Sequence, residues 1–149
     1  RISSPGPPSN TSMEAWKHIS HISLLNFTAE EITKMGHSLN SVQFPAEASG
    51  GYVAQFEAVH QIHCLNTLWE DHQVQKYPER FSEYLAVTAQ FPEAVEEHYE
   101  HCVDMLRQKL MCNPDMNFVT WDWVEGIDGP WANFNTPHVC QDYDALLEW

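Results

Sequence analysis

Two stretches of the chain repeat one pattern, His60-Gln-Ile-His63-Cys64 and His98-Tyr-Glu-His101-Cys102. Neutral imidazole ligates Zn, Cu, Fe and Ni, and a thiolate tilts a site toward Cu(I) or Zn. Residues three apart on a helix share a face, so each pair can aim both rings at one ion. The cysteine at i+4 then stands on the face of the first histidine. One His-x-x-His pair alone is ordinary surface chemistry. Two copies, each inside a helical stretch, predict that His60, His63, His98 and His101 hold a metal, as ligands on facing helices of a bundle do. Cys64 and Cys102 occupy equivalent places, and either join the two helices as a disulfide or ligate as thiolates.

A ligating histidine usually donates its other N–H to a carboxylate or carbonyl. Glu57, three residues before His60, and Asp104, one turn beyond His101, are candidates for that role, whereas Glu97 and Glu100 read as solvated. His138, in Pro137-His-Val-Cys140, is a candidate further ligand or site residue. His18, His21, His37 and His72 read as surface residues. Cys112 and Cys140 flank an aromatic tail, and a disulfide between them would stabilise the fold by about 3 kcal/mol. Trp121, Trp123, Trp131, Phe134 and Tyr143 in that tail are candidates for the wall of a substrate pocket, or for plain core. Asp104, His138 and Tyr143 are thus the candidate catalytic residues.

The elements that must carry these groups are mostly helical. Val59, Ile62, Leu65, Leu68 and Trp69 fall near helical spacing from about residue 57 to 75, without Gly or Pro until Pro78. A second long helix runs from Pro92 to about Met111, with Val95, Tyr99, Cys102, Leu106 and Leu110 as its stripe, and Asn113-Pro114 stops it. Ser12 is placed to cap a first helix, and Thr28 with Glu31 forms a capping box for another that ends near Gly36. A strand is expected to begin within Ile19–Leu25, and Tyr52-Val-Ala-Gln-Phe56 alternates as a strand does. The tail reads as loops around one strand, closed by a helix over 142–149. The expected fold is mainly α with minor β: a single domain over 12–149, two metal-bearing helices packed together, and a loop-rich aromatic end. Residues 1–11, rich in Pro, Ser and Gly, read as a flexible lead of a mature form that has lost its N-terminal segment.

The chain has 149 residues, 21 acidic against 7 basic, and a formal charge of −14. That balance excludes nucleic acid and anionic membrane surfaces as partners, since phosphate contacts need clustered Lys and Arg. Sequons at Asn10 and Asn26 and an even cysteine count suit a secretory compartment. His-Glu-x-x-His, Gly-x-Ser-x-Gly, a phosphate loop and a dinucleotide fingerprint are all missing. A closed structural or transport zinc site, a zinc or iron hydrolase or hydroxylase, and a cyclase working without redox are the rival readings.

The doubled motif, with Ala15-Trp16 before it and Met111-Cys-Asn-Pro-Asp and His138-Val-Cys-Gln-Asp-Tyr-Asp after it, resembles the signature of the UstYa-like family of fungal biosynthetic proteins. The likeness runs from about residue 12 onward; Val103 stands where leucine is usual. It implies copper held by the four histidines, with molecular oxygen as co-substrate. It further implies oxidation of C–H bonds in a natural product or ribosomal peptide: cyclisation, hydroxylation, desaturation or halogenation. By the same resemblance the domain lies in the secretory lumen behind an N-terminal membrane anchor, and pairs with a second copy or a paralogue.

Overall fold

The computed structural model describes residues 7–133, 135 and 137–148; Phe134 and the final Trp149 lie outside them. The architecture is mainly α with minor β, as the sequence predicts. Among the described residues six α-helices and two small antiparallel sheets follow one another, in two compact units divided between Arg107 and Gln108.

The N-terminal unit opens with α1, Asn10–Ser20. Its cap is Ser9, not Ser12. The Ser9 hydroxyl accepts from the Ser12 amide at 3.1 Å, and the Ser12 hydroxyl accepts from the Ser9 amide at 2.8 Å. Ser12 therefore fills the place that Glu or Gln takes in most capping boxes, and the helix begins inside the stretch read as linker. At its other end Ser20 closes back on the Trp16 carbonyl (2.8 Å), so helix takes up the first residues of the stretch predicted to start a strand, and the strand begins at its last residue, Leu25. Strand β1 is confined to Leu25–Phe27 and pairs with β2, Tyr52–Ala54, in the register Leu25↔Ala54 and Phe27↔Tyr52.

Between the strands lies α2, Ala29–Lys34, capped as predicted: Glu31 accepts from the Thr28 amide at 2.8 Å. The Thr28 hydroxyl donates to the same carboxylate at 2.8 Å, and the two bonds, backbone first, hold the Glu31 carboxyl below its usual range. A depressed carboxyl stabilises the fold above its unfolded pKa and loses that contribution as pH falls through the folded one. Thr28→Ala is expected to destabilise by about 1 kcal/mol near neutral pH. Its deficit should begin to shrink as pH falls below about 4.5 and vanish only once the folded carboxyl, which titrates lower, is protonated; a series of urea titrations from pH 7 downward measures this.

Two long helices dominate the chain. Helix α3, Glu57–Val74, runs without interruption, and α5, Pro92–Cys112, starts on proline and crosses the boundary between the units. A 3-10 turn at Pro78–Arg80 leads into α4, Ser82–Gln90, which the sequence reading leaves unassigned. Phe91 separates α4 from α5 at φ −135°, ψ 59°, because a residue before proline is driven out of the helical region. The core is small. It comprises Ile32, Tyr52, Val59, Val74 and Phe81, with Cys64 and Cys102 completely buried. An aromatic run joins α1 to α4: Trp16 lies 5.6 Å from Trp69, and Phe81 meets Trp69 edge-on at 5.9 Å.

In the C-terminal unit the tail forms two strands where one was expected. Strand β3, Thr120–Trp123, pairs with β4, Pro130–Asn133, in the register Trp121↔Ala132 and Asp122↔Trp131. The Trp121, Trp123 and Trp131 side chains on this hairpin are exposed. Helix α6, Tyr143–Glu148, follows, with Tyr143 half-buried. Among the described residues no helix is long and apolar enough to cross a membrane.

Candidate metal centre

Helices α3 and α5 meet at their cysteines. Cys64 and Cys102 are both free thiols with no exposed surface, and they lie within hydrogen-bonding reach of each other. Burial, reinforced by Cys102, pushes the Cys64 thiol up to about 12, so without an ion beside it Cys64 is a neutral thiol at pH 7. Small side chains at the crossing let the helices approach, and the histidines next to the cysteines and one turn before them are drawn together.

The rings face one another in two pairs. His60 and His101 have centroids 5.6 Å apart at a tilt of 30°, and His63 and His98 are 5.7 Å apart at 37°. Along α5, His98 and His101 lie 6.5 Å apart and nearly parallel. The partners run in opposite order on the two helices, which is the pattern of an antiparallel crossing. Sγ of Cys102 stands 3.7 Å from Nε2 of His98. Glu57 lies 3.8 Å from Nδ1 of His60, too far for a hydrogen bond but on the side expected for a carboxylate that orients a ligand.

The electrostatics suit a metal. Burial pulls His63 down, and the nearby His98 and His60 pull it further; burial, then His101 and His60, do the same to His98. The two rings are thus neutral at pH 7, with a lone pair on each for an ion. Imidazoles bound at about 2.0–2.1 Å to one ion leave ring centres about as far apart as those of each facing pair. Among the described residues, no three His, Cys, Asp or Glu side chains converge into a finished binding group as they stand. The donor set fits copper or zinc; the rings have still to turn onto the ion.

Other candidates sit differently. Asp104 is engaged by Arg107, whose Nε and Nη2 reach Oδ1 at 2.8 and 2.6 Å. Glu97 and Glu100 are exposed on α5. His138 belongs to the C-terminal unit, where Nδ1 is 3.0 Å from Asp115 and 3.3 Å from the Asn117 amide. Tyr143 is in that unit too, its phenol pushed up by burial. Cys112 and Cys140 are exposed free thiols.

What sequence reasoning missed is a cleft. A cavity of about 420 Å³ opens against His63 and His98, walled by Val95 of α5 and by Phe81, Tyr84 and Val87. His60 and His101 are not among its lining residues, so the facing pairs are inequivalent. The Tyr84 hydroxyl donates to Asp71 at 2.9 Å; burial, then that bond, raises its pKa and keeps it a neutral phenol. The available signal was Phe81-Ser-Glu-Tyr-Leu-Ala-Val between Pro78 and Pro92, a short apolar segment framed by helix breakers.

No solved structure matches the chain. Among curated proteins, a UstYa family oxidase of Aspergillus flavus, aprY, is 32% identical over 97% of this chain and 44% of its own length. A UstYa family oxidase of Diaporthe leptostromiformis, phomYc, is 26% identical over 97% of this chain and 56% of its own. The oxidase ustYa of Aspergillus flavus is 29% identical over 64% of this chain and 39% of its own. The chain thus spans about half the length of these relatives. The family described as mycotoxin biosynthesis protein UstYa matches residues 3–149, and with both His-x-x-His-Cys motifs facing each other across α3 and α5 the chain belongs to that family.

Proposed function

We propose that the chain is the catalytic region of an oxidase of fungal secondary metabolism. It holds copper between α3 and α5 and uses molecular oxygen on a C–H bond of a natural product or peptide. The observation that carries this reading is the convergence of four histidines in two facing pairs, one of which lines a cleft. The relatives named oxidases support it. His60, His63, His98 and His101 would hold the metal, with Cys64 and Cys102 as neighbouring donors or as a disulfide that fixes the crossing. Copper, when bound, supplies one-electron chemistry with oxygen. The protein's part is to fix the imidazoles, to orient His60 through Glu57, and to keep water from the reacting carbon with Phe81, Val87 and Val95. Lumenal location, an N-terminal anchor, glycosylation at Asn10 or Asn26 and pairing with a paralogue belong to the same proposal.

A second reading has one specific support. A relative from Talaromyces islandicus, 29% identical over 69% of this chain, is named transacylase cctO. Acyl transfer at a zinc site would use the same histidines as a Lewis-acid cage. Loading the protein with copper and with zinc, desalting, and reading metal content and the paramagnetic resonance spectrum separates the two. Copper near stoichiometry with nitrogen hyperfine structure is expected. Retention of zinc alone, with copper lost on desalting, would defeat the oxidase reading.

A further inference from the structure

The two sequons, Asn10-Thr-Ser12 and Asn26-Phe-Thr28, are alike as sequence, but the fold uses their amides differently. An N-linked sugar is built on Nδ2 and leaves Oδ1 a carbonyl acceptor. Which of those two atoms each asparagine already employs therefore decides between them.

At Asn26 the nitrogen is engaged. The residue pairs with Val53 across β1 and β2, and its Nδ2 donates to Oγ of Ser49 at 2.6 Å. Ser49 stands at φ 117°, a conformation rare for a residue with a side chain, which persists only where its neighbours hold it. The carbonyl end of the same amide lies against Gly51, where an added Cβ would collide with it. Both ends of the Asn26 amide thus fasten the loop over 45–51 to β1.

Asn10 has the opposite arrangement. It is the first residue of α1 and is exposed. Its Oδ1 accepts from Nη1 of Arg80 at 3.0 Å, and because a guanidinium only donates, the atom facing Arg80 is the oxygen. Among the described residues Nδ2 has no partner. Arg80 and Met13 of α1 both line the cleft in front of His63 and His98.

We propose that Asn10, and not Asn26, carries an N-linked oligosaccharide, rooted beside Arg80 at the wall of the cleft. The transfer joins Nδ2 to C1 of an oligosaccharide borne on a lipid pyrophosphate. The C1–O bond breaks, the pyrophosphate leaves with its electron pair, and Nδ2 gives up one proton. Transfer takes place on the chain before it folds, so both sequons are offered; the fold selects which modified chain completes its structure. A sugar on Asn10 leaves the bond from Arg80 intact, because the oxygen is untouched. A sugar on Asn26 is built on the nitrogen that holds Ser49, and the strained loop then has to seat without that tie. The proposal rests on the lumenal reading given above and commits it to one site.

The test is to secrete this chain from a fungal host behind a foreign signal sequence and to remove the glycans enzymatically in heavy-oxygen water. Peptide mass spectrometry then reads each occupied asparagine as a labelled aspartate. The label is expected at Asn10 and absent from Asn26 in the folded, secreted protein. Asn10→Gln should abolish the gel shift that deglycosylation causes. Thr28→Ala, which removes the second sequon but leaves Asn26 in place, should keep that shift. Label at Asn26, at both sites or at neither would overturn the proposal. The signal sequence delivers the chain to the lumen whatever its natural location, so these outcomes leave the lumenal and oxidase readings to their own tests.

Discussion

Replacing His63 and His98 together by alanine is expected to lower copper affinity by at least about 100-fold, to the point where desalting strips the protein. Loss of a residue that merely orients a ligand typically weakens a metal site by about 10–100-fold, and here two donors of a facing pair go at once. Glu57→Gln, which removes no donor to the metal and keeps an acceptor for the Gln61 amide, should fall within that smaller range. His98 is exposed and His63 half-buried, so the double variant should keep its fold, as circular dichroism would verify. His60→Ala with His101→Ala should lose copper to a similar degree. The two double variants then differ in one respect. Only the first removes ring surface from the cleft, so only the first should also change the shape of the space in front of the metal. Copper retained equally by wild type and both variants would remove the histidine pairs from the site altogether.

That inequivalence marks the boundary of what was legible in the sequence. Metal-ligand chemistry is local: spacing of three on a helix decides which rings share a face, and two long helices without Gly or Pro are read directly from pattern. Which ring meets which across the helices depends on how α3 and α5 cross, and the completely buried Cys64 and Cys102 set that. The cysteines carried the cue, but as candidates for bonding and not for close packing. The start of α1 was misplaced for a similar reason. Ser9 and Ser12 can each cap a helix, and both sides of the capping box are serine, so residue type alone does not rank them. Helix α4 went unread because Phe91-Pro92 breaks what would otherwise be one long helical stretch from residue 82 to 112. The aromatic tail was legible as composition and not as structure. Trp121 and Trp131 lie on a hairpin, while the aromatic residues that wall the cleft, Phe81 and Tyr84, stood outside every motif.

Phe81→Ala should therefore be the most destabilising single substitution at the cleft, by about 3–5 kcal/mol. The ring is only 4% exposed and meets Trp69 edge-on at 5.9 Å, so its loss removes both buried area and a favourable aromatic geometry. For a chain of this length that corresponds to a fall in Tm of roughly 10 °C or more. Phe81→Leu keeps most of the volume and should cost below about 1.5 kcal/mol. Thermal melts of the metal-free protein followed by far-ultraviolet circular dichroism give both numbers, and a loss under about 1 kcal/mol for alanine would show that α4 is not anchored through this ring. The same residue walls the space in front of His63 and His98, so stability and chemistry are coupled at it. Phe81→Leu should leave copper content unchanged, because no donor is touched, yet alter which substrates the cleft accepts. A protein that binds metal normally and prefers a bulkier substrate would separate the work of the cleft from that of the histidines.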